Sequence, residues 1–310
     1  IGDYDYDVIA FNSKVKSGSS AAVNAALNII SKDLMITGVP LIELSNKREV
    51  YLMPNAGKVV VKKNRDFVFN GQIDAGKGRL NLFGKNFFFH YDEFKLDLNE
   101  IDSVQLSVPI MPIKKDMYDN LAKVKTVIEA VTGDLRIDDP SNKSGVRTDS
   151  FPGFPIFKSF KDSYAYYDKE TIYDGVYDRD RFSFHLQPFT IDSLDSYTGK
   201  GLWFAGTFES AGIFPTFDDT LRLQTDYSLG FTRKTPTDGF AIYGGKGKYH
   251  NDIHLSHKGL KGSGDFEYLT AKASADEIFF FPDSTNLYTQ NFSITEVVSG
   301  IEFPSVINTE

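Results

Sequence analysis

The sequence predicts a mainly β protein, built of antiparallel sheets in sandwich or solenoid-like layers, with two short amphipathic helices. Strand-length apolar or alternating segments recur roughly every 8 to 12 residues, and short turns containing Gly or Asn separate them. The 310 residues include 27 Phe and 16 Tyr, the aromatic types that strands favour. Together these features predict antiparallel strands in layers.

The overall composition limits the possible functions. Without any cysteine, the chain has no disulfide, no thiolate metal site and no cysteine nucleophile. A net charge of -8 argues against general nucleic-acid binding, which needs a positive face. No apolar run approaches the roughly 18 to 20 residues of a spanning helix. Because the chain begins Ile1-Gly2 without Met, we expect it to be an internal portion of a longer or processed protein.

The first half is predicted to contain a strand, a helix and then a long β region. Residues 3–11 alternate apolar or aromatic side chains with aspartates, the pattern of a half-buried strand. From 19 to 33, apolar residues recur at helical spacing after Ser19 or Ser20 as an N-cap, which predicts the first helix. Further strands are predicted at 59–61, 67–69, 80–83, 87–89, 94–98 and 104–108.

A second helix is predicted over residues 117–131. Met117, Leu121 and Val124 begin an apolar stripe at helical spacing, which ends before Gly133. Residues 138–150 have almost no large apolar side chains and form the predicted linker between two regions. These regions are 1–137, β-rich with both helices, and 151–310, β-rich with strands near 164–167, 172–177, 182–186, 202–209, 221–223, 228–231, 240–243, 252–256, 266–269 and 278–281.

One sequence pattern occurs in both halves of the chain. Residues 69–76 and 204–212 each place an aromatic residue, a small residue and a Gly before a strand that ends at another Gly. A repeated unit of strand, glycine and strand is what stacked β layers produce.

Three residues of one predicted strand have side chains that metals bind. His250, Asp252 and His254 would project from the same strand face, about 7 Å apart, and could share a Zn²⁺ ion. The commoner meaning of this pattern is an exposed polar face opposite buried Ile253 and Leu255. We therefore predict no metal site and no cofactor.

The sequence contains no coherent set of catalytic residues. No serine lies in a G-x-S-x-G elbow. Glu209, Asp218 and Asp219 lie near aromatic residues and would suit a glycan-active protein, but Asp is also an ordinary turn residue. We predict no catalytic residue. A hydrolase on a β scaffold is a third hypothesis, and it requires these carboxylates, or the His250 set, to converge in a pocket.

The aromatic side chains are too many for all of them to be interior. Exposed aromatic strand surface favours contact with a partner, or with further copies of the same layer. The predicted partner-binding residues are Trp203, Phe204, Phe214, Phe217, Phe279, Phe280 and Phe281.

Several aromatic and turn-rich runs resemble a known family. The first is Phe151-Pro152-Gly153-Phe154-Pro155-Ile156-Phe157-Lys158, and the others lie at 164–168, 206–215, 255–264 and 279–284. They are similar to very large, repetitive, β-rich envelope proteins of gliding and related Gram-negative bacteria. The resemblance covers mostly residues 60–110 and 150–295, and its features are turns and aromatic strands.

The resemblance implies a location and a partner. One such protein closes the periplasmic end of the giant outer-membrane barrel of the type IX secretion translocon and has no known catalytic residues. We therefore expect a non-enzymatic periplasmic module, associated with the outer membrane, that binds and occludes or braces a large outer-membrane secretion channel. Nucleic acid is not an expected partner, and membrane contact is expected only through the β-barrel partner. The alternative is a carbohydrate- or lipid-binding β-domain, with exposed aromatics around Trp203 and Phe217 as its sign.

Overall fold

A computed structural model describes residues 9–14, 24–110, 120–289, 291–298 and 301–308. Within these ranges the protein is mainly β with antiparallel pairing, which confirms the predicted fold class. The chain divides into two compact units, named here unit 1 (residues 1–163 and 187–202) and unit 2 (residues 164–186 and 203–310). The predicted linker 138–150 lies inside unit 1.

The strands follow one another with short connections. In chain order they are β1 (Ala25–Leu27), β2 (Leu34–Ile36), β3 (Ile42–Ser45), β4 (Val50–Val61), β5 (Phe67–Ala75), β6 (Leu80–His90), β7 (Lys95–Pro109), β8 (Leu121–Lys123), β9 (Ile128–Arg136), β10 (Ile156–Ser159), β11 (Ser163–Tyr166), β12 (Phe182–Leu186), β13 (Thr190–Ile191), β14 (Trp203–Ser210), β15 (Phe217–Leu223), β16 (Leu229–Lys234), β17 (Phe240–Ile242), β18 (Gly247–Ser256), β19 (Gly259–Tyr268), β20 (Ala271–Phe280), β21 (Thr285–Leu287), β22 (Asn291–Val298) and β23 (Ile301–Asn308). Short 3-10 helices lie at Pro140–Asn142, Thr148–Ser150, Tyr173–Gly175 and Gly199–Gly201.

In unit 1 the strands pair in the order β2–β4–β5–β6–β7–β9–β10–β13. Strand β1 pairs with β2, β3 pairs with β4, and β8 pairs with the end of β7. Buried side chains recur at every second position over much of β5 and β6, so one face of these strands forms the core. Phe67 and Phe89 are cross-strand partners on that face, with ring centroids 4.7 Å apart.

The two glycines of the repeated sequence pattern have the same structural role. Gly71 of β5 and Gly206 of β14 each lie against a backbone carbonyl oxygen, that of Met53 and His185 respectively. A Cβ at either position would overlap that oxygen. Only glycine therefore permits this close approach of neighbouring strands.

The first predicted helix, 19–33, is wrong over residues 24–33, and its remainder lies outside the described residues. Residues 25–36 form the β1–β2 hairpin. Asn28 explains the difference, because its side-chain oxygen accepts hydrogen bonds from the backbone N–H of Ile30 and Ser31, at 2.9 and 3.1 Å. This Asx turn offers the backbone an alternative to helical hydrogen bonds.

The second predicted helix, 117–131, is wrong from residue 120 onward, and 117–119 lie outside the described residues. The chain instead forms β8 and the start of β9. Ile128 and Val131 are both buried although they lie three residues apart, because Ala130 between them has a φ of 58°. A residue in this conformation breaks the two-residue alternation of a strand and so imitates helical spacing.

The strand predicted at 172–177 is also wrong. Residues Tyr173–Gly175 form a 3-10 helix, in which Asp174 has a φ of 55° that an extended strand does not accommodate. Of the strand predicted at 3–11, residues 3–8 lie outside the described part of the chain, and residues 9–11 are not in a strand. The remaining predicted strands overlap observed ones.

A buried arginine fixes the segment between β9 and β10 within unit 1. Arg48 is 1% exposed, and its guanidinium donates to both carboxylate oxygens of Asp138, at 2.8 and 3.1 Å. It also donates to the backbone carbonyls of Thr148, Phe151 and Phe154. The segment between β9 and β10 is therefore organised around a single cation that binds a buried carboxylate and three part-buried carbonyls.

One carboxylate of unit 1 is expected to make stability depend on pH. Asp134 is buried on β9, and no described residue forms a hydrogen bond with its Oδ1. Burial raises the pKa of Asp134 in the folded state, so its contribution to stability falls as pH rises from the unfolded pKa through the folded one. We expect Asp134→Asn to raise the free energy of unfolding at neutral pH by about 1 kcal/mol.

Urea unfolding at neutral pH and at about pH 4 checks this expectation. The gain from Asp134→Asn should be larger at neutral pH, where the native carboxyl is charged. Asp149→Asn, at an exposed position of the same unit, is the control. An equal effect of Asp134→Asn at both pH values would contradict the prediction.

In unit 2 the strands pair in the order β12–β14–β15–β16–β18–β19–β20–β22–β23. Strand β17 also pairs with β18, and β21 also pairs with β20. The core is rich in phenylalanine, and the ring of Phe208 lies 5.2 Å from the rings of both Phe182 and Phe231, between centroids. Tyr177 is buried beside this cluster and donates its hydroxyl to the carbonyl of Phe280, at 2.9 Å.

Candidate partner-binding surface

The seven residues predicted to bind a partner all lie in unit 2, but their exposure differs. Trp203 is 58% exposed. Phe217, Phe279 and Phe281 are half-buried. The other three, Phe204, Phe214 and Phe280, are buried in the core of the unit. Their side chains contribute to folding, and the partner-binding role of the set stays a prediction.

Phe279 and Phe281 pack against the connection between β11 and β12. The ring of Tyr173 meets both edge-to-face, with centroids 6.1 Å from Phe279 and 5.0 Å from Phe281. The ammonium of Lys261 lies 4.3 Å from the centroid of Phe279 and is paired with Glu277 at 2.7 Å. Unit 2 itself therefore covers much of both rings.

Phe217 belongs to a local cluster with a cation. Its ring stacks on Phe240 with centroids 5.5 Å apart, and the guanidinium of Arg233 lies 4.2 Å from its centroid. Arg233 also reaches the carboxylate of Asp219 at 3.5 Å. This arrangement holds the ring in place and leaves only part of it open to a partner.

Trp203 is the exposed member of the predicted set. It begins β14 and pairs across the sheet with Arg222 of β15, which is also exposed. A large, exposed indole beside a cation is the kind of residue found at the centre of binding sites. Trp203 is therefore available for contact, unlike its neighbour Phe204, which points to the core.

A second aromatic surface was not predicted from the sequence. It consists of Tyr243, Phe266, Tyr268 and Phe292 and is named here the aromatic face. Phe266 and Tyr268 lie two residues apart on β19, and their rings are near parallel at 14°, with centroids 6.4 Å apart. Phe292 is reached across the sheet through Ala273 of β20.

Burial decreases from row to row along this face. The cross-strand row of Tyr249, Phe266, Ala273 and Phe292 begins with a fully buried tyrosine and ends with a half-buried phenylalanine. In the next row, Gly247, Tyr268, Ala271 and Ile294, no side chain is buried, and Ile294 is 37% exposed. The apolar side of the sheet thus continues beyond the packed core.

The aromatic face forms one side of a groove of ≈ 670 Å³. Tyr243 lines this groove next to Tyr268, with ring centroids 6.2 Å apart, and its hydroxyl donates to the carbonyls of Phe281 and Ser284, at 3.0 and 2.8 Å. Burial raises the pKa of Tyr243, so this phenol stays neutral at physiological pH. Lys246, which is exposed, also lines the groove.

The sequence contains one signal for the aromatic face. Phe266 and Tyr268 are two residues apart, and two alanines, Ala271 and Ala273, follow them. Phe266 and Tyr268 precede Ala271 and Ala273 across one turn, so small side chains are placed opposite large ones. Whether such a face is covered depends on long-range packing, which no local pattern encodes.

His250, Asp252 and His254 of β18 are not arranged to bind a metal ion. The His254 Nδ1 lies 2.7 Å from the hydroxyl of Thr232 on β16, and burial lowers the pKa of His254. Asn251, between His250 and Asp252, has a φ of 101°, which disturbs the regular strand geometry. Among the residues that the structure describes, no group of three or more His, Asp or Glu side chains is arranged to hold a metal.

Glu209, Asp218 and Asp219, the carboxylates considered for glycan chemistry, do not converge. Asp218 and Asp219 are consecutive residues of a strand, so their side chains point to opposite faces. Asp218 pairs across the sheet with Thr207 and accepts a hydrogen bond from its hydroxyl at 2.6 Å. Asp219 is the next residue of β15, so its side chain points to the other face, towards Arg233. Glu209 lies exposed near the end of β14.

Comparison with known proteins gives no match: no family model, no curated protein and no solved structure is similar to this chain. No helix in the described part of the chain is long and apolar enough to span a bilayer. Any functional conclusion therefore depends on the residues and geometry of the chain.

Proposed function

We propose that this chain is a non-enzymatic, periplasmic protein-binding module that binds a large outer-membrane β-barrel and occludes or braces its secretion channel. The observation that carries the proposal is the aromatic face of unit 2, where the apolar side of the sheet continues past the core. The turns and aromatic strands of this sequence resemble those of the Plug subunit of the type IX secretion translocon, which is a protein of this kind.

The chemistry of the aromatic face suits a protein partner. Tyr and Phe are enriched in protein interfaces, whereas charged residues are depleted from interface cores. The rings of Phe266 and Tyr268 lie beside Ala271 and Ala273, which leaves room for side chains of a partner. A stable complex needs about 1,000 Å² of buried surface, so the contact has to extend beyond the groove.

Substitution of Tyr268 tests the proposal. We expect the tagged full chain to recover a large outer-membrane β-barrel in stoichiometric amount from gently solubilised envelopes. Tyr268→Asp places an unpaired charge on the aromatic face and should lower that recovery about tenfold or more. Quantitative mass spectrometry of the recovered material measures the change.

The matched control is Tyr288→Asp, at a tyrosine that is 81% exposed and does not line the groove. It should recover the barrel as well as the wild type. Thermal melting of both variants checks that they are folded. If the wild-type chain is recovered without any barrel, the proposal is overturned. If Tyr268→Asp and Tyr288→Asp recover the barrel equally well, the aromatic face is not the binding surface.

The exposed indole of Trp203 favours carbohydrate binding as the second candidate function. Indole faces beside polar groups are suited to sugar rings, and Arg222 lies directly across from Trp203. Binding of the protein to a glycan array, lost on Trp203→Ala and kept on Tyr268→Asp, would favour this candidate over the channel module.

A further inference from the structure

The β1–β2 hairpin exposes three aliphatic side chains at its end. Leu27 is 62% exposed, Ile29 83% and Ile30 91%. These residues are named here the apolar tip. Isolated exposed aliphatic residues are common, but three at one hairpin end form a patch that needs an explanation.

The apolar tip is held in a defined conformation. The backbone N–H of Asn28 donates to Asp33 at 2.9 Å, and that of Lys32 donates to Asn28 at 2.7 Å, which closes the turn. Strand β2 then pairs with β4, with Leu34 opposite Val61. The exposed side chains are therefore presented by an ordered turn that is anchored to the sheet of unit 1.

Three lysines lie in or near the turn that carries the apolar tip, and one of them is paired with a carboxylate of that turn. Lys32 lies in the turn itself, and Lys62 forms an ion pair with Asp33 at 2.9 Å. Because β2 and β4 pair at this point, Lys63 in the turn after β4 lies at the same end of the sheet. No described carboxylate forms an ion pair with Lys32 or Lys63. This positive end belongs to a chain with a net charge of -8.

We propose that the apolar tip inserts into the interface of an anionic phospholipid surface, with Lys32 and Lys63 against the head groups. Aliphatic side chains combined with flanking lysines are the pattern of interfacial membrane contact. Hot spots for proteins are instead enriched in Trp, Tyr and Arg, while Leu is under-represented. This contact is direct, whereas the sequence led us to expect membrane contact only through a partner.

Co-sedimentation of the full chain with vesicles tests the proposal. We expect binding to vesicles of phosphatidylethanolamine and phosphatidylglycerol in equal parts, and weaker binding to phosphatidylcholine vesicles. The double variant Ile29→Asp, Ile30→Asp should bind at least about tenfold more weakly. Val146→Asp, at a 67% exposed position of the same unit, is the matched control and should bind like the wild type.

Charge reversal gives an independent variant. Lys32→Glu with Lys63→Glu should weaken binding to the phosphatidylglycerol vesicles by about fivefold or more for each position, and leave binding to phosphatidylcholine unchanged. All four positions are exposed, so the melting temperatures of both double variants should match that of the wild type.

The absence of cysteine permits a probe of insertion at a single site. Ile30→Cys, labelled with an environment-sensitive dye, should shift its emission to the blue on addition of phosphatidylglycerol vesicles. The labelled control Val146→Cys should not shift. A shift of equal size at both positions would overturn the insertion of the tip.

Two further outcomes would overturn the proposal. One is a wild-type chain that does not sediment with any vesicle. The other is an Ile29→Asp, Ile30→Asp variant that keeps vesicle binding and loses a protein from the purified complex, which would make the tip a protein-docking element. Recovery of the outer-membrane barrel is measured separately, so the channel proposal and the lipid proposal fail independently.

Discussion

Replacing Arg48 with methionine is expected to destabilise unit 1 by about 3 to 5 kcal/mol. The guanidinium of Arg48 compensates the buried carboxylate of Asp138, which is 1% exposed. Methionine fills a similar volume but donates no hydrogen bond. Asp138 would then keep only the neutral donors Asp139 N–H and the Asn142 side-chain amide, and would lose its cationic partner. Urea unfolding of the full chain, followed by a probe of unit 1, measures the loss.

Arg65→Met is the matched control for this prediction. Arg65 forms an ion pair with Asp92 at 2.8 Å, but their side chains are 62% and 80% exposed. An exposed pair contributes about 0 to 1 kcal/mol, because water and salt screen it. The double variant Arg48→Met, Asp138→Leu should recover part of the lost stability, since it removes the uncompensated charge. Equal losses from Arg48→Met and Arg65→Met would contradict the structural role assigned to Arg48.

The strands were the part of the fold that sequence could predict. The predicted segments 67–69 and 80–83 fall within β5 and β6, where buried and exposed positions alternate over much of each strand. Alternation is a local property, and cross-strand partners such as Phe67 and Phe89 reinforce it. Hence element type was predictable wherever the strand was regular.

The errors arose where a single residue departs from regular geometry. Asn28 closes a turn with its own side chain, and Ala130 adopts a positive φ within a strand. Both produce apolar residues three or four apart, which is also the spacing of a helix face. Spacing alone cannot separate these cases, because it does not report the local side-chain hydrogen bonds of Asn28 or the φ of Ala130.

The candidate surface was harder to predict than the strands. The aromatic residues of β14 and β20 were predicted to bind a partner because they are aromatic. In a strand, however, successive side chains point to opposite faces, so only some of them are exposed. Trp203 and Phe204 are neighbours, yet one is exposed and the other is buried. The pair of rings at Phe266 and Tyr268 became visible as a surface only once the register of β18, β19, β20 and β22 was known.

Phe280→Ala is expected to destabilise unit 2 by about 3 to 5 kcal/mol. The side chain is fully buried, and its ring centroid lies 4.9 Å from that of Phe214 and 5.0 Å from that of Tyr249. Truncation removes the apolar burial and the edge-to-face contacts and leaves a cavity that neighbouring strands cannot fill without losing register. Urea unfolding followed by a probe in unit 2 should report the loss.

Trp203→Ala, in the same set of sequence-predicted residues, is expected to change stability by less than about 0.5 kcal/mol, because the indole is already 58% exposed. The two variants thus separate a core role from a surface role. If Phe280→Ala remained as stable as Trp203→Ala while losing the partner, Phe280 would have to reach the surface in solution. A large loss of stability with Phe280→Ala alone would confirm that Phe280 belongs to the core of unit 2 and that Trp203 lies on its surface.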